Sequence, residues 1–249
     1  MRVFSATDVG QLRKSNEDYI FTSLDPVGNL PNLFVVADGM GGHNAGEVAS
    51  HLGVSALIEN IKNNSNFNPV KIVRSAMSAA NKAVFQMAGT DEGLSGMGTT
   101  MVVASVVGDY LYVANVGDSR LYHTGDGFIR QITMDHSLIA EMVRIGELSP
   151  EEGKNHPDKN IITRAIGTTD KIQTDFFDLK LESGQQFIMC SDGLTNMVED
   201  EDILRIVRES LDIGENPAGK LVELANANGG RDNISVIVVD MHTDEVSEC

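Results

Sequence analysis

Four aspartates border apolar runs, and their type and spacing could do chemistry. They are Asp38, Asp118, Asp192 and Asp232. Apolar runs of this length, bounded by turn residues, predict buried strands. An acid at the end of a buried strand is costly unless another charge offsets it. If the four strand ends meet in space, a hard divalent cation such as magnesium, manganese or calcium is the compensation that carboxylate oxygens favour.

A glycine and an arginine extend this set. The carboxylate of Asp38 can bridge two cations while the carbonyl of Gly39 binds one of them, because glycine permits close backbone approach. Arg13 lies between two predicted strands, and an arginine can bind phosphate bidentately without losing its charge. A paired-metal centre activates water and stabilises both oxygens of an in-line displacement. Together these residues indicate phosphate-ester hydrolysis.

Other hydrolytic and nucleotide-binding motifs are missing from the sequence. There is no G-x-x-x-x-G-K-[ST] loop and no G-x-S-x-G elbow. Cys190 lacks the arginine six places on that a cysteine-phosphatase nucleophile would need. Ser119 follows Gly-Asp as in one esterase class, but the required Asp-x-x-His does not follow, since Asp135 and His136 are adjacent. We therefore interpret Ser119 as a turn residue.

Composition limits the classes of protein to which this chain can belong. The 249 residues are 41% hydrophobic and 22% charged, which is ordinary for a soluble globular protein. The net charge of −17 disfavours nucleic acid as a partner. The two cysteines form no disulfide framework or zinc spacing. We see no signal peptide and no apolar run long enough to span a bilayer, so we expect a cytoplasmic enzyme without a membrane partner.

Periodicity and turn residues predict many strands and two pairs of helices. The predicted strands are 2–7, 18–24, 33–37, 99–107, 110–116, 119–124, 127–132, 175–181, 186–191 and 234–240. The predicted helices are 45–63, a second one capped by Asn68 and stopped at Gly89, 200–211 and 217–227. Only tight turns separate the four strands between 99 and 132, which predicts a meander of antiparallel hairpins and not a βαβ series. The pattern favours sheets packed together and covered by helices.

Residues 137–174 differ from the rest of the chain. A short helix is predicted over 138–145, and the polar, turn-rich stretch 146–158 follows it. So long a connection is usually functional or mobile. A solvated surface excursion explains the same composition, and spacing alone leaves both interpretations open.

Several motifs, in a fixed order, identify a family resemblance. They are TDVG (7–10), RKSNED (13–18), VADGMGGH (36–43), GEVAS (46–50), GTT (98–100), ANVGDSR (114–120), DHS (135–137), ITRAIG (162–167), SDGL (191–194) and RDNI (231–234). With these motifs the chain closely resembles the bacterial metal-dependent protein phosphatases of the PPM, or protein phosphatase 2C, family. The resemblance runs over nearly the whole chain.

The resemblance implies an α+β fold and a single domain. Two antiparallel sheets would pack face to face with helices outside, in a four-layer α-β-β-α sandwich spanning residues 1–249. Residues 137–174 would form the family's flap subdomain, which lies beside the active site and varies between members.

The resemblance also implies a set of metal ligands. Asp38 would bridge two Mn²⁺ or Mg²⁺ ions. The carbonyl of Gly39 would ligate one ion, and Asp192 and Asp232 would ligate the other. Asp118, together with Asp192, would hold a third and weaker ion, as in bacterial members.

Further residues carry over by the same resemblance. Arg13 would grip the substrate phosphate, and Glu17 and Asp18 would contact the metals through bound waters or orient those waters. Eukaryotic members have a histidine, proposed as general acid, where this sequence has Met40. His43 follows shortly after, as is common in bacterial members. A catalytic and a structural role for His43 both stay open.

The expected activity is metal-dependent hydrolysis of phosphoserine and phosphothreonine in proteins. A hydroxide bridging two metals would attack phosphorus, with no covalent phosphoenzyme. Phosphoprotein substrates are the expected partners, as is a bacterial serine/threonine kinase that the enzyme opposes, and we expect a monomer. The alternative is a non-catalytic regulatory or adaptor module on the same fold. Because such modules normally lack some of the aspartates, the presence of all four favours the enzyme.

Overall fold

The computed structural model describes residues 1–42, 45–154 and 156–241. The strands are β1 (Arg2–Asp8), β2 (Asp18–Ser23), β3 (Leu33–Met40), β4 (Gly98–Thr99), β5 (Met101–Val107), β6 (Tyr110–Val116), β7 (Arg120–Gly125), β8 (Phe128–Gln131), β9 (Asp175–Lys180), β10 (Gln186–Cys190) and β11 (Ile234–Asp240). The helices are α1 (Ala45–Lys62), α2 (Pro69–Ala88), α3 (Leu138–Arg144), α4 (Pro150–Lys154), α5 (Asp192–Thr195), α6 (Asp200–Asp212) and α7 (Pro217–Ala227). A 3-10 turn spans Glu92–Leu94.

The strands form two antiparallel sheets. The first has the order β1-β11-β10-β7-β8. The second has the order β2-β3-β5-β6-β9, and the short β4 pairs with the end of β3. Neighbours in both sheets run antiparallel. The predicted hairpins β5-β6 and β7-β8 are confirmed. The continuous meander is wrong, because β6 lies in the second sheet and β7 in the first, so the chain crosses between the sheets at the turn that carries Asp118.

Three apolar clusters hold the layers together. The inner cluster lies between the sheets and includes Phe34, Val36, Phe187, Met189 and Ile237. Because successive side chains of a strand point to opposite faces, the alternate residues of the same strands face outward. These pack against α1 and α2 on one side and against α6 and α7 on the other. Each fully buried aliphatic or aromatic side chain contributes about 1.5–3 kcal/mol. The predicted four-layer α-β-β-α sandwich is confirmed.

Local sequence signals fix the ends of the main helices. The side chain of Asn68 accepts a hydrogen bond from the backbone N–H of Lys71, and Pro69 opens α2. Asn216 caps α7 in the same way, with Pro217 as its first residue. Asparagine before a helix satisfies backbone donors that have no partner inside it, and proline at the first position lacks such a donor. The predicted second and fourth helices are thereby confirmed.

The observed strands differ from the predicted ones where the acids lie. β3 continues past Ala37 to Met40, because Gly39 and Met40 pair with β4. Asp38 and Gly39 therefore lie inside a strand and not after it. The predicted strand 99–107 is divided into β4 and β5, with Thr100 between them.

Residues 132–174 contain two short helices. Ser137 caps α3 through its hydroxyl, which accepts a hydrogen bond from the N–H of Ala140. The predicted helix over 138–145 is confirmed to within one residue. The polar stretch after it includes α4, which periodicity did not predict. An antiparallel bridge joins Ser137, which precedes α3, to Ile162, which follows α4.

None of the helices within the described ranges is both long and apolar enough to cross a membrane.

Candidate active site at one end of the sandwich

The acids singled out in the sequence converge at one end of the sandwich. In the first sheet, Asp192 follows the end of β10 and Asp232 precedes the start of β11, while Asp118 precedes β7. In the second sheet, Asp18 begins β2 and Asp38 lies near the end of β3. The five acids are close enough for their charges to interact. After burial, the charges of four of them are what raises the pKa of the fifth, Asp38; these four are Asp18, Asp192, Asp118 and Asp232. Antiparallel pairing inside each sheet produces this convergence.

Asp18 and Asp38 are direct cross-strand partners in β2 and β3. Like charges in this arrangement are destabilising, so their placement requires compensation. The hydroxyl of Ser191 donates a 2.7 Å hydrogen bond to Asp18 Oδ2 and thereby links the two sheets. Asp18 Oδ1 is buried and has no hydrogen-bond partner within the described part of the chain. A buried carboxylate oxygen of this kind favours a bound water or cation.

Thr100 holds the backbone of Asp38. Its hydroxyl accepts a 2.9 Å hydrogen bond from the Asp38 N–H, and its own N–H donates a 2.8 Å bond to the Asp38 carbonyl. The hydroxyl of Ser119, beside Asp118, lies 2.7 Å from the Thr100 hydroxyl. Ser119 is buried and serves as a connector between the sheets. The prediction that it is a turn residue rather than a nucleophile agrees with this position.

Asp18, Asp38, Asp118, Asp192 and Asp232 together form what we call the acidic cluster. It is electrostatically unfavourable when all five acids are ionised. Burial, reinforced by neighbouring acids, raises the pKa of Asp18 to about 7 and that of Asp118 to about 8. The same causes raise the pKa of Asp192 to about 6 and place the pKa of Asp38 well above its usual range. The acids therefore need either protons or a positive charge from outside the cluster.

Gly39 lies where any side chain would collide with its surroundings. A Cβ at this position would overlap the carbonyl of Gly46 and stand 2.6 Å from the carbonyl of Glu17. The absence of a side chain lets the first turn of α1 approach β3 closely. The Glu17 carboxylate points to the same place, since a Cβ on Gly46 would lie 2.5 Å from Glu17 Oε2 and 2.8 Å from the Gly39 carbonyl oxygen. Burial raises the pKa of Glu17.

Arg13 brings a positive charge to the edge of the cluster. Its Nη2 donates a 2.7 Å hydrogen bond to Asp232 Oδ2. About half of the Arg13 side chain is exposed, and 28% of the Asp232 side chain is. An arginine here is accessible to a solvent-borne anion while an acid orients it.

The donor set suits a hard divalent cation. It consists of carboxylate oxygens and one backbone carbonyl, the ligands that Mg²⁺ and Mn²⁺ take. No three His, Cys, Asp or Glu side chains within 1–42, 45–154 and 156–241 form a ready-made coordination group.

The position two residues after Asp38, where eukaryotic relatives have the proposed general acid, cannot supply a proton in this protein. Met40 ends β3, is half-buried and pairs with Gly98, so the residue at this position offers no titratable group. His43 lies outside the described residues.

The structure adds site residues that were not singled out in the sequence. Asn233 is buried and binds three backbone groups of the segment that carries Arg13. His136 accepts a 3.1 Å hydrogen bond from the Gly117 N–H at Nδ1, and its Nε2 lies 3.0 Å from Asp175. Both residues belong to the motifs quoted above, RDNI and DHS, which is the signal that could have identified them.

Comparison with known proteins agrees with this geometry. The sequence matches the protein phosphatase 2C family over residues 3–234. It is 39% identical over 240 residues to the serine/threonine phosphatase stp of Listeria monocytogenes, covering 94% of this chain and 93% of the relative. The fold superposes on the serine/threonine phosphatase Stp1 from Staphylococcus aureus with a TM-score of 0.89 and 34% identity, covering 97% of this chain and 95% of Stp1.

A further structural relative carries metal. The catalytic domain of the serine threonine protein phosphatase PstP, in complex with two manganese ions, has a TM-score of 0.83 and 33% identity to this chain, with 97% and 98% of the two chains covered.

The two-sheet sandwich is the architecture of the serine/threonine phosphatases to which this chain is similar. The chain belongs to the protein phosphatase 2C family. It is a protein phosphatase of that bacterial branch, as the resemblance in its motifs predicted.

Proposed function

We propose that this protein hydrolyses phosphoserine and phosphothreonine in phosphoproteins and depends on Mn²⁺ or Mg²⁺ to do so. The observation that carries the proposal is the convergence of Asp38, Asp192 and Asp232 from both sheets beside Arg13. Burial raises the pKa of Asp38 and Asp192, so a cation would relieve the cluster. Two ions held there would supply a water nucleophile of lowered pKa and neutralise charge on the phosphate.

The proposed ligands are those that the family resemblance implies. Asp38, together with the Gly39 carbonyl, Asp192 and Asp232, would hold the central pair of ions. Asp118 together with Asp192 would hold a third and weaker ion, as the family resemblance implies. Manganese in the related PstP domain supports the choice of metal for the central pair.

The remaining residues of the chain would bind and orient. Arg13 would exchange its contact with Asp232 for two oxygens of the substrate phosphate, since a guanidinium binds phosphate bidentately. Glu17 and Asp18 would orient waters at the metals, for which the unpaired Asp18 Oδ1 is suited. Either His43 or a metal-bound water would donate the proton to the leaving oxygen.

Residues 137–174 are proposed to act as a flap beside the site within one domain spanning 1–249. Thr163 N–H donates a 2.7 Å hydrogen bond to the His136 carbonyl, and the His136 N–H donates one of 3.0 Å to the Gly117 carbonyl. The segment is therefore joined directly to the turn that carries Asp118. Loops that vary in sequence beside a rigid site commonly set substrate choice.

The proposed setting is the cytoplasm, with a monomeric enzyme opposing a serine/threonine kinase. The relatives named serine/threonine phosphatase support the choice of phosphoprotein substrates. A phosphothreonine peptide incubated with the protein and Mn²⁺ tests the activity. We expect release of phosphate in Mn²⁺ and its loss in a chelator, whereas a rate that is unchanged by chelation would refute the metal mechanism.

A further inference from the structure

Asn233 holds the segment that carries Arg13. The residue is 5% exposed and lies between Asp232 and the first residue of β11. Its Nδ2 donates 2.9 Å hydrogen bonds to the carbonyls of Val9 and Ser15, and its Oδ1 accepts a 2.8 Å bond from the Glu17 N–H. One side chain thus satisfies three backbone groups on both flanks of Arg13.

The same segment is tied to the turn before β11 by its backbone. The N–H of Gln11 donates a 2.7 Å hydrogen bond to the Gly230 carbonyl. Gly10 has a φ of 80°, and a Cβ there would overlap the carbonyl of Asp232. The backbone of residues 9–17 therefore lies directly on the turn 230–233 that presents Asp232. Because the Arg13 side chain is half exposed and its ion pair is with Asp232 on the same turn, the contact between this backbone and the turn 230–233 helps to set where the guanidinium lies.

We propose that Asn233 is a positioning residue that fixes the Arg13 loop, defined as residues 9–17, so that the guanidinium meets the substrate phosphate. An asparagine suits this task because its amide supplies two donors and an acceptor at once. An aspartate of the same shape keeps the acceptor for Glu17 but presents a negative oxygen to the carbonyls of Val9 and Ser15. The inference rests on the proposed function of Arg13.

The test compares Asn233→Asp with Arg13→Ala and with the double variant, using the Mn²⁺-saturated enzyme and a small aryl phosphate as substrate. Inorganic phosphate serves as a competitive inhibitor that reports phosphate binding. We expect Asn233→Asp to raise the inhibition constant of phosphate about tenfold, which corresponds to the loss of one or two buried hydrogen bonds. Each variant is assayed at a Mn²⁺ concentration that saturates it, because the added charge beside Asp232 changes the affinity for Mn²⁺ as well.

The double variant separates an effect that acts through Arg13 from a general loss of structure at the site. If Asn233 acts through Arg13, Asn233→Asp adds less than about twofold to the inhibition constant in the Arg13→Ala background, as contacting groups are non-additive. An equal effect in both backgrounds would overturn the inference and leave the role of Arg13 intact. If Arg13→Ala itself leaves phosphate inhibition unchanged, the proposed role of Arg13 fails together with the inference.

Asn32→Asp is the matched control. Asn32 is also buried, and its amide donates to the Val106 carbonyl at 2.8 Å and accepts from the Val106 N–H at 2.7 Å. It precedes β3 at the end away from Asp38, roughly 20 Å along the strand. This variant should lose stability without a change in phosphate inhibition. The same tenfold weakening in Asn32→Asp would contradict a specific role for Asn233.

Hydrogen exchange of the chelated protein provides a readout independent of activity. Asn233→Asp should speed exchange in peptides covering 9–17, while peptides from β5 and β6 keep their protection. Unchanged exchange in 9–17 would overturn the inference. If Asn233→Asp does not fold, Asn16→Ala replaces it, because Asn16 holds the same loop through a 2.8 Å bond to Thr7. Asn16→Ala should also raise the inhibition constant of phosphate, and no rise would refute the proposal.

Discussion

Replacing Asp118 with asparagine should stabilise the metal-free protein at neutral pH. Asn has the shape of Asp without its charge, and Asp118 lies beside Asp192 and Asp135. Burial and these neighbours raise the pKa of Asp118 to about 8 from an ordinary value of 3.8. The folded state therefore holds this proton over a range of pH in which the unfolded chain has released it.

The sign of the pH dependence follows from that difference. Between about pH 4 and pH 8 the folded state binds more protons than the unfolded state, so the free energy of unfolding falls as pH rises. At about 1.4 kcal/mol for each pH unit, the upper limit of the loss from this group is about 2 kcal/mol at pH 5 and about 5 kcal/mol at pH 8. Coupling to Asp192 shares the loss between the two acids, so we expect Asp118→Asn to raise the free energy of unfolding at pH 8 by on the order of 2 kcal/mol.

Urea unfolding in a chelator, followed by circular dichroism at pH 5 and pH 8, measures this gain. The matched control is Asp126→Asn, which changes an exposed turn residue and should shift stability by less than about 0.5 kcal/mol at either pH. Equal stability of Asp118→Asn and the parent protein at pH 8, or a loss, would refute the account of a strained acidic cluster.

Three other changes test separate parts of the site. Asp38→Ala should abolish turnover of a phosphothreonine peptide while circular dichroism shows a folded chain, and near-normal turnover would remove Asp38 from the centre. Asp118→Ala should weaken the binding of a third Mn²⁺ ion in calorimetric titration and leave two ions bound, whereas loss of all bound metal contradicts the assignment. Ser191→Ala should destabilise the chelated protein by about 1–3 kcal/mol in urea unfolding, because the Ser191 hydroxyl donates to buried Asp18 and accepts from the Ser235 N–H; no loss would show that this link between the sheets is dispensable.

The sequence predicts the fold well because burial patterns follow secondary structure directly. Runs such as 33–37 and 234–239 alternate between the inner and outer faces of their sheets, so both faces are apolar and the strands are easily recognised. The extension of β3 to Met40 was missed because it depends on pairing with two residues, Gly98 and Thr99, almost sixty positions away. Local propensity carries no information about such a partner.

The acids of the site were predictable, but the residues that hold them were not. Asp38 and Asp232 stand out because a charge bordering a buried strand conflicts with its surroundings. Asn233 and Thr100 carry no such conflict, since a neutral polar residue in a turn is ordinary. Their roles arise from backbone groups brought to them by the fold, such as the carbonyls of Val9 and Ser15.

Titration of Mn²⁺ into the metal-free protein, with bound metal and peptide dephosphorylation measured on the same samples, tests the central claim most directly. The account predicts no turnover without metal and a rise in turnover as the first two ions bind per chain. The Asp38→Ala variant should show neither tight binding nor turnover. Full activity in the metal-free protein, or activity that rises without bound Mn²⁺, would contradict the claim that the acidic cluster is a catalytic metal centre.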